Sequence, residues 1–219
     1  MNSTEPIWTI KKYRSCVGHD GQEAYSFDLY RHNRLFAHCN DDAWGGGSNC
    51  HFAAKRRPGE TMGVYNERQQ AKLEVGMAYL WNHVLSRKEK ILWQSNSREW
   101  AIDEPMAWED QVKASSSGVF LSCFQDEFFN HLIERHLHRE WIKKQSRTHY
   151  LYRCLGDKPQ TWRRVKRTVP IRDPRNGYFE SVFIDMLKVK LAEDGNTLER
   201  TAGLRDRPNL GAPDPCTAL

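Results

Sequence analysis

Four side chains that commonly bind zinc occur as two adjacent pairs, His38-Cys39 and Cys50-His51. The stretch between the pairs favours a turn, because it contains Asp41, Asp42 and Gly45 to Gly47. A hairpin that turns near residues 43–46 pairs Cys39 with Cys50 and His38 with His51. Since side chains alternate across a strand, the cysteines then lie on one face and the histidines on the other. A regular hairpin does not present all four to one metal ion, so we expect no metal or other cofactor.

One metal arrangement stays open as an alternative, in which His38 and His51 are joined by the two aspartates of the turn, Asp41 and Asp42. Such a site is typical of a metal-dependent hydrolase or nuclease. Aspartates between two strands more commonly stabilise the turn itself through side-chain hydrogen bonds to the backbone. We therefore place this alternative behind a non-enzymatic function.

Three further histidines, His131, His136 and His138, fall on a predicted helix over residues 120–144. At 100° per residue, the apolar side chains form one stripe, from which we expect Phe128, Ile133 and Leu137 to be core. His131 and His138 are then expected to face solvent or a partner. They are seven residues apart, about 10.5 Å of helical rise, which is too far to share one ion.

Nucleotide-binding and hydrolase motifs are missing from the sequence. Gly45-Gly46-Gly47 lacks the Lys-Ser/Thr ending of a phosphate-binding loop, and no Gly-x-Ser-x-Gly elbow occurs. Carboxylate pairs such as Glu109-Asp110 lie in polar stretches, and nothing in the sequence brings a base to them. We therefore expect no enzymatic activity and assign no catalytic residue.

Positive charge is concentrated in one part of the chain. Residues 141–175 hold eleven Lys and Arg against two Asp, a net +9, while the whole chain carries +5 and the remainder therefore −4. Basic and aromatic side chains alternate here in the mixture used for phosphate contacts and base stacking. The residues we expect to bind a partner or nucleic acid are Arg153, Arg163, Arg164, Lys166, Arg167, Tyr152 and Trp162.

The side of the predicted strand on which each basic residue lies indicates the kind of partner. On a strand over residues 161–169, Arg164 and Lys166 point to one side and Arg163 and Arg167 to the other. A continuous electrostatic track for nucleic acid needs the charge on one face. The split favours a protein or nucleoprotein partner, with direct nucleic-acid binding through residues 147–175 as an alternative.

The elements that must position these residues give an α+β fold with an N-terminal antiparallel sheet, two long amphipathic helices, and a C-terminal basic hairpin and helix. Strands are predicted over 8–14, 24–31, 35–40 and 50–54, helices over 66–93 and 120–144, a hairpin from 150–155 and 161–169, and a helix over 178–191. We expect one domain over 1–191, β-rich to residue 60 and helical over 61–145. Residues 192–219 are rich in Pro and Gly and predict a loose tail.

The compartment is predicted from what the chain lacks. No apolar run approaches the length of a membrane span, and residues 1–10 have neither the basic nor the apolar region of a secretory signal. The six cysteines are scattered without a Cys-x-x-Cys pair, which is typical of reduced thiols. We therefore expect a cytoplasmic protein that does not bind membranes.

Two stretches carry a resemblance to known proteins. The first, Glu23 to Arg31 followed by Asn40 to Gly47, resembles the opening hairpin of small phage and prophage proteins. The second, Tyr150 to Arg153 with Gly156-Asp157 and Trp162-Arg163, resembles a later hairpin of the same proteins. The resemblance implies a mobile-element origin and a role in binding host machinery. From it we expect an inhibitor of a host defence complex, of anti-CRISPR type, that acts in the host cytoplasm.

Overall fold

The computed structural model describes residues 8–18, 21–44, 47–96, 104–114, 119–158, 160–167 and 176–202. It has the mixed α+β class and the N-terminal antiparallel sheet that the sequence predicts. The chain divides into two compact units, with the boundary after Glu134. The single domain predicted over 1–191 stays a prediction, because compactness does not measure whether the two units unfold together.

The first unit opens with a four-stranded antiparallel meander in the order β1 (Trp8–Val17), β2 (Glu23–Arg31), β3 (Arg34–Asp41) and β4 (Asn49–Phe52). A tight connection at His32-Asn33 joins β2 to β3. Both residues have positive φ, 47° and 61°, which is the conformation of a two-residue hairpin turn whose twist matches the strands. The sheet leaves β4 as an edge strand.

The long helix predicted over 66–93 is interrupted in the structure. α1 (Met62–Tyr79) runs into a π-helical turn at Leu80–Val84, and a separate helix, α2 (Arg87–Asn96), follows. Leu85 has an extended backbone, with φ −67° and ψ 131°. Ser86 then caps α2, because its Oγ accepts from the Glu89 backbone and the Glu89 carboxylate accepts from the Ser86 backbone. This reciprocal capping box stops one helix and starts the next.

Aromatic side chains build the core of the first unit. Trp81 is fully buried and makes ring contacts with Trp108, Phe120 and Phe124. Its indole N–H donates to the Met106 carbonyl at 3.0 Å, which satisfies its one polar atom. Trp108 belongs to the short helix α3 (Trp108–Ala114), and the phenylalanines begin α4.

Helix α4 (Val119–Gln145) closely matches the prediction, but its buried face differs in the last turns. Phe128 and Ile133 are buried, as expected, whereas Leu137 is 46% exposed. His138, expected to be exposed, is partly buried and accepts from the Trp162 indole, and His131 is partly buried as well. Residues 135–145 of α4 belong to the second unit, in which His138 meets Trp162. The apolar spacing along α4 does not contain this contact.

The second unit contains a three-stranded antiparallel sheet in the order β6 (Arg163–Lys166), β5 (His149–Cys154) and β7 (Leu198–Ala202). Helix α5 (Asn176–Glu193) packs on it through Phe183, whose ring stacks on Tyr150 at 4.1 Å. The predicted hairpin is present. The prediction of a loose tail from residue 192 is wrong for residues 198–202, because Leu198 packs against the small core around Cys154 and the strand pairs with β5. Residues 168–175 and 203–219 lie outside the described residues.

Candidate functional site

The basic residues singled out by the sequence gather on one small sheet. Strand β6 runs antiparallel to β5, so that Arg163 pairs with Tyr152 and Arg164 with Leu151. Arg153 lies near the end of β5, and Arg167 directly follows β6. The structure therefore brings these residues together, but their side chains meet different partners.

Arg167 is an interior residue rather than a surface one. Its Nη1 donates to Glu180 Oε1 at 2.8 Å and its Nε donates to the Ser146 carbonyl at 2.7 Å. The side chains of the pair are 2% and 7% exposed. The guanidinium also lies 4.4 Å from the ring centroid of Tyr150, in the geometry of a cation–π contact. Its charge is thus neutralised inside the unit.

Arg153 is also held by a carboxylate, which lies on β7, the strand that flanks β5 on the side opposite β6. It donates two parallel hydrogen bonds to Glu199 of β7, at 2.8 and 2.7 Å, and its side chain is 10% exposed. The fork geometry fixes the orientation of both groups. The guanidinium lies 5.8 Å from the ring of Trp162. Trp162 in turn donates to His138 Nε2 at 3.2 Å, so that this predicted stacking residue is engaged within the unit.

Arg163 is the first residue of β6, and its side chain bonds to the turn between β5 and β6. It donates to both carboxylate oxygens of Asp157, at 3.1 and 2.9 Å. The same carboxylate accepts from the Cys154 backbone N–H at 2.9 Å. The Arg163 hydrogen bonds and then this backbone bond hold the pKa of Asp157 below its usual range. Arg163 therefore stabilises the turn, although it is partly open to solvent.

Two basic residues of the set stay on the surface. Arg164 and Lys166 are exposed, and the register of β6 puts them on the same face. Arg164 donates to the amide oxygen of Gln145 at 3.5 Å, and neither residue has a carboxylate partner among the described residues. Tyr152 is partly buried against the core of Cys154 and Leu187. The seven predicted residues therefore separate into a structural majority and an exposed pair.

In the first unit, the predicted register of the Cys/His hairpin is confirmed. Cys39 pairs with Cys50 and His38 with His51. The thiols meet at 3.3 Å on the core side, and hydrogen bonding to Cys50 together with burial raises the pKa of Cys39. Alternation puts the histidines on the other face.

The same face of the first sheet carries a contact that the sequence did not suggest. His38 Nδ1 lies 2.6 Å from Asp28 Oδ1, and Lys12 lies 2.8 Å from Oδ2 of the same carboxylate. The lysine hydrogen bond holds the pKa of Asp28 below its usual range, against the effect of burial. His38, one of the two histidines of the alternative metal site, is thus bonded to Asp28.

The two turn aspartates of the alternative metal site bond to the backbone. Asp41 Oδ1 accepts from the Ala43 N–H at 2.8 Å and Asp42 Oδ1 from the Trp44 N–H at 3.1 Å. These bonds are the ones that stabilise a turn. Across the described part of the chain, no group of three or more His, Cys, Asp or Glu side chains is arranged to hold a metal ion.

A groove beside the edge strand β4 was missed by the sequence reading. It encloses about 650 Å³ and lies between β4, α1 and α4 of the first unit. Its lining includes Glu67 and Glu74 of α1 and Gln125 of α4, and none of the described residues that line it is a lysine or arginine. Burial raises the pKa of Glu74. Polar and apolar surface contribute about equally to the groove, and the two glutamates make one side of it acidic.

The backbone of β4 supplies open hydrogen-bonding groups to this groove. The Ala53 N–H donates to the Phe36 carbonyl, and by alternation the backbone groups of Cys50 and Phe52 then point away from β3. Their neighbours on this edge are already bonded, since Ser48 is held by Asp126 and Gln125, and the carbonyls of Phe52 and Ala54 accept from the Tyr65 hydroxyl. The N–H and C=O of Cys50 and the N–H of Phe52 have no partner among the described residues.

No protein-family model matches the chain, and neither do the curated proteins or the solved structures that were compared with it. None of the helices in the described ranges combines the length and the apolar character needed to cross a bilayer.

Proposed function

We propose that this protein is a phage or mobile-element accessory protein that binds a host macromolecular complex without catalysing a reaction. In its most specific form, the proposal is an inhibitor of host defence, of anti-CRISPR type, acting in the host cytoplasm. The origin is supported by the resemblance of the two hairpin stretches to small phage and prophage proteins. The mode of action is supported by the contacts of the basic segment.

The observation that carries the binding mode is the internal use of the arginines. Arg153 and Arg167 are buried in ion pairs with Glu199 and Glu180, and Arg163 is paired with Asp157. A nucleic-acid track requires several cations free to replace the counterions of phosphates. Three of the five basic residues in the predicted binding set are neutralised in this way, which favours a protein surface as the partner.

Plating efficiency tests this function. Phage are plated on strains that each carry one type of CRISPR immunity, with and without the protein, and on isogenic strains without immunity. The proposal expects plaque counts to rise by orders of magnitude in at least one immune strain and to stay unchanged in the isogenic controls. Equal plaque counts with and without the protein in every immune strain would contradict the anti-CRISPR role.

Direct nucleic-acid binding is the second candidate, and one observation favours it. Arg164 and Lys166 share an exposed face of β6 without a carboxylate partner among the described residues. Two adjacent cations make a small phosphate-binding surface. This candidate predicts salt-sensitive binding that depends on these two residues.

A further inference from the structure

The groove beside β4 combines an open stretch of edge strand with an acidic lining. An edge strand exposes backbone groups that can pair with another chain, and natural proteins usually block such an edge. Here the edge is blocked at both ends and open at Cys50 and at the N–H of Phe52. Side chains occupy the outward backbone groups of Ser48 and the outward carbonyls of Phe52 and Ala54.

We infer that the groove binds a short extended segment of a protein partner, which adds to the sheet as a strand beside β4. A residue placed opposite Cys50 exchanges two hydrogen bonds with it, and the Phe52 N–H supplies a third. This is the pairing of an antiparallel ladder. Because the flanking groups are already bonded, only about three residues of the segment pair with the edge. The inference rests on the proposed binding function and names the site and the partner's chemistry.

The charge of the groove selects a basic segment. Two carboxylates, Glu67 and Glu74, line it, and the part of the chain that the structure describes brings no basic residue to it. They are seven residues apart on α1, about 10.5 Å along the helix, which is too far for one ammonium group to contact both. The bound segment therefore carries two Lys or Arg side chains. The rest of the lining is mixed, because Asn49, Asn66 and Gln70 are polar and Phe52 and Ala71 are apolar. The amide side chains can hydrogen-bond to the backbone of an extended peptide.

The probe for this site is a random-peptide phage-display library selected on the full chain. The expected result is enrichment of peptides with at least two Lys or Arg and no Pro in the pairing stretch. Glu67→Gln with Glu74→Gln should weaken binding of an enriched peptide about tenfold at low salt, because two exposed charge pairs are lost. Glu109→Gln, at an exposed position on α3, is the matched control and should leave binding unchanged.

The backbone contribution is tested by Cys50→Pro against Cys50→Ser. Proline removes the outward N–H without removing a bond to β3, so the peptide should bind more weakly to the proline variant than to the serine variant. Amide chemical shifts of Cys50 and Phe52 in the wild-type protein provide a measurement that needs no variant, and both should move when the peptide binds.

Enrichment of peptides without basic residues, or binding that is indifferent to the glutamate variants and leaves both amides unmoved, would overturn the inference. The outcome is separable from the proposed function. If defence inhibition survives the Glu67→Gln/Glu74→Gln change, only the groove as the binding site is contradicted. If the peptide binds but the protein has no effect on plating, only the anti-CRISPR role is contradicted.

Discussion

Arg167 Nη1 lies 2.8 Å from Glu180 Oε1, and the two side chains are 2% and 7% exposed. The pair joins the residue after β6 to helix α5. Burying two charges has a large desolvation cost, which the ion pair and its additional hydrogen bonds offset. Removing one partner leaves the other charge buried and uncompensated.

This pair gives the first prediction. Glu180→Gln should lower the free energy of unfolding by about 3–5 kcal/mol, the range for breaking a buried ion pair. Glu140→Gln removes the carboxylate of an exposed pair with Lys143 and should cost less than about 1 kcal/mol. Denaturant unfolding followed by circular dichroism measures both. Equal losses in the two variants would show that Arg167 is not a structural residue.

The second prediction concerns a glycine in the last turn of α1, Gly76. A Cβ at Gly76 would lie 2.6 Å from Trp8 Nε1 and 2.8 Å from Phe128 Cζ. Although alanine is ordinarily the better helix former, Gly76→Ala should therefore destabilise the protein by about 1–3 kcal/mol, as overpacking does.

Gly63→Ala is the control in the same helix, because the space around Gly63 is open. This change should be neutral or stabilising by up to about 1 kcal/mol. The melting temperature of Gly76→Ala should fall below that of the wild type, and that of Gly63→Ala should stay equal or rise. A Gly76→Ala protein as stable as Gly63→Ala would contradict the close approach of α1 to β1.

A third prediction follows from His138, which accepts from the Trp162 indole and whose pKa is lowered by burial. A histidine with a depressed folded-state pKa takes up its proton more readily when unfolded. Its contribution to stability is therefore complete above about pH 6.5, the unfolded value, and is lost as the pH falls through the folded-state pKa.

The measurement for His138 is unfolding at several pH values, compared with His138→Gln. The wild type should lose more stability than the variant as the pH drops below about 6.5. The indole ¹H–¹⁵N signal of Trp162 should shift over the same interval, since a proton on Nε2 removes the acceptor. Parallel stability curves with an unmoved indole signal would argue against this hydrogen bond.

The fourth prediction concerns the two thiols of the β3–β4 pair, Cys39 and Cys50, whose sulfur atoms lie 3.3 Å apart. With oxidised glutathione, Cys50 should form a mixed disulfide and release one glutathione. Cys39 should then displace the second glutathione and close a Cys39–Cys50 disulfide. Peptide mapping should find this cross-link in wild type and its loss in Cys39→Ser. A wild-type map with mixed disulfides at Cys50 but no Cys39–Cys50 peptide would count against the register.

Sequence alone predicted the features set by short-range periodicity. The turn-forming residues near 43–46 predicted the hairpin register, and the two-residue alternation placed Cys39 and Cys50 on one face. The long apolar stripe placed α4 within a residue at each end. These patterns depend on neighbours that are close in the chain, so that a single sequence contains them.

Features that depend on distant residues could not be predicted in this way. Arg153 and its partner Glu199 are 46 positions apart, and Glu199 lies in a stretch whose composition predicted a loose tail. The arginines of the basic segment were therefore predicted to form a binding surface. The break between α1 and α2 did have a local signal, the Ser86-x-x-Glu89 capping box, which the apolar spacing concealed. The open edge of β4 depends on side chains from α1 and α4 and has no local signal.

We expect the basic segment to stabilise the second unit, and we expect the partner to be a protein rather than nucleic acid. Fluorescence anisotropy of labelled single-stranded and duplex DNA, titrated with the isolated protein at physiological salt, tests the second expectation most directly. We expect the isolated protein to bind both DNA forms with an affinity no tighter than about 10⁻⁵ M, within the non-specific range. Micromolar or tighter binding that weakens steeply with salt, and that is lost in Arg164→Glu/Lys166→Glu while the fold is kept, would contradict it.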